Sequence, residues 1–240
     1  MVKTIVVLPT YNEAENLPQM VGEIFSLSIE GLELIVVDDN SPDGTGRIAE
    51  ELASRHPGRL RVIHQPGKLG LGSACLWGFE EALARGADYV VEMDADFSHS
   101  PSYLPLFLEK MKGCDLVIGS RYTEGGKVDE RWSIWRRLLS RGGNLYARLV
   151  TGLSVRDTTS GFRCYRREVL EDLPPIGSEG YAFQIEMAYL CQKKGYRLCE
   201  LPIYFEDRAL GRSKMSLAII LEAFWRVWQM RWRYRGVRFP

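Results

Sequence analysis

The sharpest chemical signal in this sequence is Asp94-Ala95-Asp96, which directly follows an apolar run from Tyr89 to Met93. In an extended segment, residues two apart face the same way, so both carboxylates point to one side. Oxygen ligands without a thiolate or imidazole set suit a hard cation such as Mg²⁺ or Mn²⁺. Such an ion typically bridges protein carboxylates to substrate phosphates, which makes phosphoryl-linked chemistry the first expectation.

The residues after this motif admit a second interpretation. Ser98 is a weak third candidate ligand for the metal, and His99 is expected at the surface, where a lone histidine is most often found. The alternative to a metal site is a solvated turn in which Asp94 or Asp96 caps the helix near Ser102. The position of Asp94 and Asp96 directly after a buried strand favours the metal site over the capped turn.

Two further polar clusters follow apolar runs in the same way. The first is Pro9-Thr10-Tyr11-Asn12-Glu13, and the second is Asp38-Asp39. The aspartates are candidates to accept hydrogen bonds from a nucleotide base or ribose; the alternative is a turn built by Asp-Asn-Ser-Pro. The stretch from Gly67 to Gly72 lacks both GxGxxG and Walker spacing, so a tight turn is the better interpretation there.

The elements that must position these clusters alternate between strand and helix patterns through the first half of the chain. Alternation predicts an α/β fold: a mainly parallel, Rossmann-like sheet with helices on both faces. In such sheets ligands bind beyond the carboxyl ends of the strands, where the three clusters fall. We expect one catalytic domain, residues 1–215, and a basic, tryptophan-rich segment, residues 216–240.

Bulk composition narrows the functional classes. The chain has 240 residues, with 31 basic and 31 acidic side chains, so a nucleic-acid partner is not expected. Five cysteines without CxxC spacing predict neither a disulfide framework nor a zinc site, and favour a reducing, cytoplasmic location. No signal peptide is visible, and no apolar run reaches the roughly 20 residues that a membrane-spanning helix needs.

The C-terminal segment has the composition of an interfacial helix. Apolar and tryptophan residues from Leu217 to Trp232 are interleaved with arginines, and from Arg226 onward every charged residue is basic. Tryptophan and arginine on an amphipathic helix are typical of binding at a membrane surface. A helix packed on the sheet, or a dimer contact with a solvated basic tail, is the alternative.

Taken together, the motifs resemble one known family, the polyprenol (dolichol) phosphate mannose synthases of the inverting nucleotide-sugar glycosyltransferases. The resemblance covers nearly the whole chain to about residue 220. The motifs that carry it are, in order, Leu8-Pro9-Thr10-Tyr11-Asn12-Glu13, Val37-Asp38-Asp39-Asn40-Ser41-Pro42-Asp43-Gly44-Thr45, Lys68-Leu69-Gly70-Leu71-Gly72, Met93-Asp94-Ala95-Asp96, Gly119-Ser120-Arg121-Tyr122, Ser160-Gly161-Phe162-Arg163, Gly180-Tyr181-Ala182-Phe183-Gln184-Ile185-Glu186-Met187, and Asp207-Arg208 with Ser213-Lys214.

The resemblance implies a GT-A-type fold and assigns roles to single residues. The nucleoside is expected at Pro9, Tyr11, Glu13, Val37 and Asp39. The diphosphate is expected at Asp94, Ala95 and Asp96, with Asp94, Asp96 and Ser98 around Mg²⁺ or Mn²⁺. Donor or acceptor phosphate is expected at Arg121, Arg208 and Lys214, with Ser213 and either Arg136 or Arg137 at the acceptor phosphate. Asp94, Asp96, Arg121 and Arg208 are the residues expected to carry catalysis.

The implied reaction is inverting, metal-dependent transfer of mannose from GDP-mannose to a polyprenyl phosphate. The resemblance also implies a peripheral protein on the cytoplasmic face of a membrane. Here the chain is similar to short family members, which bind the membrane peripherally or rely on an integral-membrane partner subunit. Other readings stay open: a UDP-sugar donor such as UDP-glucose, a soluble acceptor, a nucleotidyltransferase, or a non-enzymatic nucleotide-binding membrane scaffold.

Overall fold

The computed structural model describes residues 2–178, 180–207 and 217–235. Within them the chain forms a seven-stranded sheet in the order β3-β2-β1-β4-β7-β5-β8. Its strands are β1 (Thr4–Thr10), β2 (Leu32–Asp38), β3 (Leu60–His64), β4 (Tyr89–Glu92), β5 (Leu116–Ser120), β7 (Arg163–Arg166) and β8 (Leu198–Pro202). A small parallel pair, β6 (Lys127–Val128) and β9 (Tyr204–Phe205), lies beside it.

Helices cover both faces of this sheet, as the alternating pattern predicts. One face carries α1 (Leu17–Ser26), α2 (Thr45–Arg55) and α4 (Leu104–Met111), which follows a short 3₁₀ turn (Pro101–Tyr103). The other carries α3 (Leu71–Ala84), α5 (Ile134–Thr151), α6 (Arg167–Asp172), α7 (Gly180–Lys193) and α8 (Leu217–Arg233). The expected α/β architecture is therefore confirmed.

The two cores follow from the pleat of the strands. Ile5 and Val7 of β1 belong to the core beneath α3, whereas Val6 and Leu8 belong to the core beneath α1. Alternate residues of a strand point to opposite faces, so a fully apolar strand is stable only when both faces are covered. Gly78 lets α3 approach closely, because a methyl group there would lie 2.3 Å from Cγ1 of Val7.

Strand β7 is not apparent from the sequence pattern. It is antiparallel to both β4 and β5, while the other neighbouring pairs of the main sheet are parallel. Its first residue, Arg163, is fully buried and donates to the backbone oxygens of Ser160, Gln184 and Thr158. A charged residue at the start of a four-residue run hides a strand from pattern analysis, since buried arginines are rare.

The prediction against disulfide bonding from the cysteine spacing was wrong for one pair. Cys114, which precedes β5, forms a disulfide with Cys199 of β8 across 85 residues of sequence. The two strands are parallel neighbours, with Val117 opposite Cys199, so the fold brings the thiols together although their spacing gives no signal. Cys75, Cys164 and Cys191 are buried and unpaired.

Helix α8 packs against the domain through one side. Val227, Met230 and Tyr234 are buried in the core beneath α5 and α7, and the Tyr234 hydroxyl donates to Glu186 Oε1 at 2.8 Å. The ring of Phe224 stacks on Tyr146 of α5 at 3.9 Å between centroids. None of the helices in the described part of the chain is long and apolar enough to cross a bilayer.

Candidate active site

The three polar clusters meet at the carboxyl edge of the sheet. Strands β1, β2 and β4 are parallel and in register, with Thr10 opposite Asp38. The Asp39 amide donates to the Thr10 carbonyl at 2.9 Å, and the Met93 amide donates to the Val7 carbonyl at 3.2 Å. The loops after these strands therefore emerge side by side, where ligands of open α/β sheets bind.

The loops after β1 and β2 are fastened to each other. The amide of Asn12 donates to Ser41 Oγ at 3.0 Å, and the amide of Glu13 donates to Thr45 Oγ1 at 2.9 Å. Asn12 and Asn40 both have left-handed backbone, with φ of 61° and 57°. Asparagine tolerates this conformation better than other non-glycine residues. Tyr11 and Glu13 are thus held by a loop with a defined shape.

Asp39 joins the glycine-rich turn to this edge. Its Oδ1 accepts from the Leu69 amide at 2.6 Å and its Oδ2 from the Gly70 amide at 2.9 Å. The same turn places the Lys68 ammonium 3.8 Å from the centre of the Tyr11 ring. Asp39 therefore has a structural role in the turn, and its predicted contact with a nucleoside stays a prediction.

Asp38 carries a less satisfied carboxylate. Its Oδ2 accepts from the Ser41 amide at 3.2 Å, and Nδ1 of His64 lies 4.0 Å away. Its Oδ1 is buried and has no hydrogen-bond partner among the described residues. Buried polar atoms are normally paired, so this oxygen is a potential acceptor at the ligand-binding edge.

The turn after β4 presents the two predicted metal ligands differently. The Asp94 side chain is 34% exposed, whereas Asp96 is buried and its Oδ1 accepts from the Ser98 amide at 3.0 Å. Between them and the following helix, Phe97 has a left-handed φ of 63°, an unusual conformation for an aromatic residue. Such backbone strain concentrates at functional sites.

His99 organises this turn from the inside, and the expectation that it lies at the surface was wrong. It is 1% exposed and stacks on Phe162 at 5.0 Å between ring centres. Its Nδ1 accepts from the Asp94 amide at 3.1 Å. Burial lowers the pKa of His99, so the neutral ring is favoured and Nδ1 stays an acceptor.

The residues at this turn fit a divalent cation whose remaining ligands come from the substrate and water. Among the described residues no three His, Cys, Asp or Glu side chains form a cage that could hold a metal alone. Mg²⁺ and Mn²⁺ sites at diphosphates usually need only one or two carboxylates, because phosphate and water supply the rest. The Ser98 hydroxyl is buried without a partner in the described chain, as a potential further ligand would be.

A buried carboxyl group, that of Glu92, lies on the core side of the acidic turn. Glu92, the last residue of β4, accepts hydrogen bonds from Gln184 and from the Cys75 thiol. Burial raises the pKa of Glu92 to about 7 despite the nearby charge of Arg163. A methyl group on Gly161 would lie 3.8 Å from Asp94 Oδ1, so the Ser160–Arg163 motif also adjoins this turn.

Arg121 is anchored by an aspartate that the sequence analysis missed. Its Nε and one terminal nitrogen each donate to the Asp157 carboxylate at 2.7 Å, and the same nitrogen donates to Thr159 Oγ1 at 2.8 Å. Burial raises the pKa of Asp157, but the Arg121 charge more than offsets this and leaves the pKa below its ordinary value. The Arg121 guanidinium lies 5.2 Å from the ring of Phe205, which in turn contacts His99.

The structure separates the two candidate arginines at the start of α5. Arg136 pairs with Asp207 at 2.8 Å and lies 3.8 Å over the Trp132 ring. Arg137 instead donates to the backbone oxygens of Asp129 and Glu130. Arg137 therefore fastens the loop before α5, whereas Arg136 contacts Asp207.

The remaining predicted residues are placed as follows. Val37 is a fully buried core residue, Ala95 is buried within the acidic turn, and Pro9 lies in β1 opposite Val37. Arg208, Ser213 and Lys214 lie outside the described residues. Asp157 is a residue that no sequence pattern singles out, and Lys68 stands in a motif of the family resemblance without a predicted role.

Comparison with known proteins places this geometry in a family. Residues 5–174 match Glycosyl transferase family 2. The chain is 48% identical over 238 residues to polyprenol monophosphomannose synthase from Mycolicibacterium smegmatis, covering 98% of this chain and 88% of that protein. It is 44% identical over 240 residues to undecaprenyl-phosphate mannosyltransferase from Micrococcus luteus, covering 98% of both. The resemblance to polyprenol phosphate mannose synthases is thereby confirmed.

Solved structures with lower sequence identity share the fold. Mannosyl-3-phosphoglycerate synthase from Rubrobacter xylanophilus superposes with a TM-score of 0.71 at 20% identity, covering 100% of this chain and 78% of that one. Glucosyl-3-phosphoglycerate synthase from Mycobacterium tuberculosis, solved with Mn²⁺ and UDP-glucose, gives 0.67 at 21% identity, covering 98% and 80%. These likenesses confirm the GT-A-type fold. The family match over residues 5–174 and the two relatives identify the chain as a glycosyltransferase that belongs to glycosyl transferase family 2.

Proposed function

We propose that this protein transfers mannose from GDP-mannose to a polyprenyl phosphate, with inversion at the anomeric carbon. The observation that carries the proposal is the acidic turn Asp94-Ala95-Asp96 at the carboxyl edge of the sheet, in a chain closely similar over its full length to enzymes named for this acceptor class. The donor's guanine base comes from the family resemblance and is what the assay below tests.

The donor lies along the carboxyl edge in this proposal. Pro9, Tyr11, Glu13, Val37 and Asp39 surround the nucleoside, and Asp38 Oδ1, buried and unpaired among the described residues, is a further acceptor beside Asp39. The diphosphate lies at Asp94, Ala95 and Asp96. Asp94, Asp96 and Ser98 would hold Mg²⁺ or Mn²⁺, which when bound offsets the negative charge that builds on the departing diphosphate.

The acceptor needs positioning more than activation, because a lipid phosphate is already an anion. Its approach to the acidic turn requires cations that screen the two carboxylates. Arg121 is fixed for this role by Asp157, and Arg136 by Asp207. Arg208, Ser213 and Lys214 complete the proposed set, and a single displacement from the face opposite the diphosphate gives inversion.

The acceptor is a membrane lipid, and two helices present a surface suited to a bilayer. We call this surface the α5–α8 face. Its exposed apolar residues in the described chain are Ile134, Trp135, Leu138, Leu139, Leu145 and Leu149 of α5 and Phe224, Trp225, Trp228 and Trp232 of α8. Trp135 is 77% exposed and Leu149 is 74% exposed. Patches of this kind mark interaction sites, and tryptophan favours the membrane–water interface. We propose peripheral attachment to the cytoplasmic leaflet through this face; an integral-membrane partner subunit is the competing occupant.

A radiolabelled transfer assay tests the proposal. Purified protein would meet GDP-mannose, UDP-glucose or UDP-GlcNAc, each with a short polyprenyl phosphate and Mn²⁺, with and without EDTA. We expect EDTA-sensitive label in the organic phase from GDP-mannose alone, with free GDP as the second product. Label from a UDP-sugar would reject the donor, pyrophosphate release would indicate nucleotidyl transfer, and no lipid label from any donor would reject the acceptor.

A further inference from the structure

A basic pocket lies between α5 and the loop that follows β5. Its volume is about 530 Å³, and its lining includes Arg121, Arg141, Arg148 and Arg156, with Glu124 as the acidic member. Asp157 offsets the charge of Arg121, so the other three arginines face one acidic side chain around a single cavity. Such a surplus attracts an anion, and arginine forks match the oxygens of phosphate particularly well.

Three of these arginines differ from the ion-paired arginines in the described part of the chain. Arg121 pairs with Asp157, Arg136 with Asp207 and Arg85 with Glu33. By contrast, Arg141, Arg148 and Arg156 form no ion pair with any carboxylate in residues 2–178, 182–207 and 224–235. Moreover, Nε of Arg148 is buried and has no hydrogen-bond partner within those ranges. A buried, unpaired guanidinium donor is costly unless a ligand satisfies it.

The part of the pocket at Arg148 lies farther from the acidic turn than the part at Arg121. His99 contacts Phe205, and Phe205 contacts Trp132, so the acidic turn lies near the start of α5. Arg148 lies twelve residues beyond Arg136 on the same helix, roughly 18 Å along its axis. Arg148 therefore lies farther along α5 from the acidic turn than Arg121, whose guanidinium is 5.2 Å from the Phe205 ring.

The same part of the pocket adjoins the α5–α8 face. Leu145 lines the pocket and is itself 54% exposed, and Leu149 follows one turn later on α5. The Arg231 side chain donates to the Val150 carbonyl, so α8 lies against this end of α5. A ligand that fills the pocket and extends past Leu145 must combine a negative charge with hydrocarbon, which describes a lipid with a phosphate headgroup.

We propose that Arg141, Arg148 and Arg156 bind the phosphodiester of an anionic bilayer phospholipid, which fixes the orientation of the enzyme beside its acceptor. The inference rests on the proposed attachment to a membrane and is independent of the identity of donor and sugar. It adds a headgroup-specific contact to the apolar contact of the α5–α8 face. Binding to a neutral bilayer then depends on the apolar face, and preference for an anionic bilayer depends on the pocket.

Vesicle cosedimentation of the full chain tests the proposal with the double variant Arg148→Gln/Arg156→Gln. The matched control is Arg47→Gln/Arg55→Gln, which removes the same charge from α2 on the opposite face of the sheet. With phosphatidylcholine vesicles containing phosphatidylglycerol, we expect the pocket variant to bind about tenfold more weakly or worse, and the control to change by less than about twofold. With pure phosphatidylcholine vesicles, both variants should bind like the parent.

Two further arms separate the sources of the phosphate. The first measures the acceptor KM in detergent micelles that contain polyprenyl phosphate and no phospholipid; it should be the same in parent and pocket variant. A raised KM there would assign the pocket to the acceptor and overturn the proposal. The second adds soluble glycerol phosphate, which should not displace the parent from anionic vesicles; displacement would indicate a site for a free anion.

The vesicle readout needs no donor, so its outcome is separate from that of the transfer assay. Equal losses in the pocket variant and the α2 control would show that only overall charge matters and would reject a specific site. Thermal unfolding of both variants checks that the fold is intact. The triple variant Arg141→Lys/Arg148→Lys/Arg156→Lys keeps the charge but lacks the forked donors, and should show part of the loss if the phosphate is bound by guanidinium groups.

Discussion

The carboxyl edge of the sheet and the α5–α8 face differ in how their chemical groups are satisfied. At the edge, Asp39 and Asp96 are buried and accept hydrogen bonds from backbone amides, and the loops around them are tied to each other. On the α5–α8 face, large apolar side chains such as Trp135 and Leu149 are exposed to solvent. The carboxylates of the edge are oriented by the protein itself, whereas the apolar side chains of the face have no packing partner within the described chain.

This difference follows from what each region must bind. A diphosphate leaving group develops charge at a fixed position, so the groups that meet it gain most when they are already oriented. A bilayer has no fixed positions, and binding to it scales with the apolar area that leaves water. Arg121 lies between the two regions and is held rigidly by Asp157. We therefore expect substitutions at the edge to change chemistry and those on the face to change location.

The largest effect is expected from Asp96→Asn. Loss of one carboxylate at the diphosphate should lower kcat by about a hundredfold to a thousandfold, the range seen when a preorganised electrostatic group is removed. The amide oxygen can still accept from the Ser98 amide, so the fold should be preserved. Steady-state transfer with saturating Mn²⁺ measures the effect. Asp88→Asn, before the other end of β4, is the matched control, and activity of Asp96→Asn equal to the parent would reject the metal-binding role.

A large effect on stability is expected from Asp157→Asn. This change leaves the buried Arg121 charge without its partner, which typically costs about 3–5 kcal/mol in the free energy of unfolding. Chemical denaturation at neutral pH measures it, and Asp115→Asn, on a half-exposed pair with Arg166, is the control. A loss no greater than that of the control would show that Arg121 finds other partners.

The pH dependence of the same variant has a defined sign. The pKa of Asp157 is lowered in the folded protein, so its ionised form stabilises the fold above the ordinary aspartate pKa. That contribution is lost as the pH falls from about 4 through the folded pKa. The stability difference between parent and Asp157→Asn should therefore be constant near neutrality and shrink in acid. A difference that grows below pH 4 would contradict this sign.

The acidic turn and Asp157 also differ in whether the sequence alone could predict them. The Asp94-Ala95-Asp96 turn was predictable because its acids follow an apolar strand, and strand order then brings it to the edge shared with Asp39. Asp157 was not predictable, since its contact with Arg121 spans 36 residues and depends on the unpredicted strand β7 and the loop before it. The same holds for the Cys114–Cys199 disulfide, which depends on β5 and β8 being neighbours.

The amphipathic helices show a further limit. The composition of α8 predicted an apolar side, but not that Val227 and Met230 would be buried while Trp225 and Trp232 remain exposed. Both sets are apolar, so hydrophobicity alone cannot divide them. Only packing against α5 and α7 does so. Substitution of the exposed side chains therefore tests membrane binding without removing the residues that are packed in the core.

A smaller effect is expected from Trp225→Ala/Trp232→Ala. The two rings contact each other at 6.1 Å between centres, and both are more than half exposed. Their removal takes apolar area from the α5–α8 face and should weaken binding to neutral phosphatidylcholine vesicles by about tenfold. Transfer to a detergent-solubilised acceptor should be unchanged. Leu106→Ala on α4 is the control, and equal vesicle binding by all three proteins would instead favour a protein partner on this face.

The smallest effect is expected from Lys68→Met, at the edge itself. The Lys68 ammonium lies over the Tyr11 ring, an exposed contact of a kind that contributes about 0.5–1 kcal/mol. If Tyr11 contacts the nucleoside, a less ordered ring should raise the donor KM about twofold to fivefold while kcat stays the same. Lys68→Arg keeps the cation and should behave like the parent, and Lys112→Met controls for loss of a surface charge. A fall in kcat with unchanged KM would show instead that Lys68 acts on the diphosphate in the transition state, which would add it to the groups at Asp94 and Asp96.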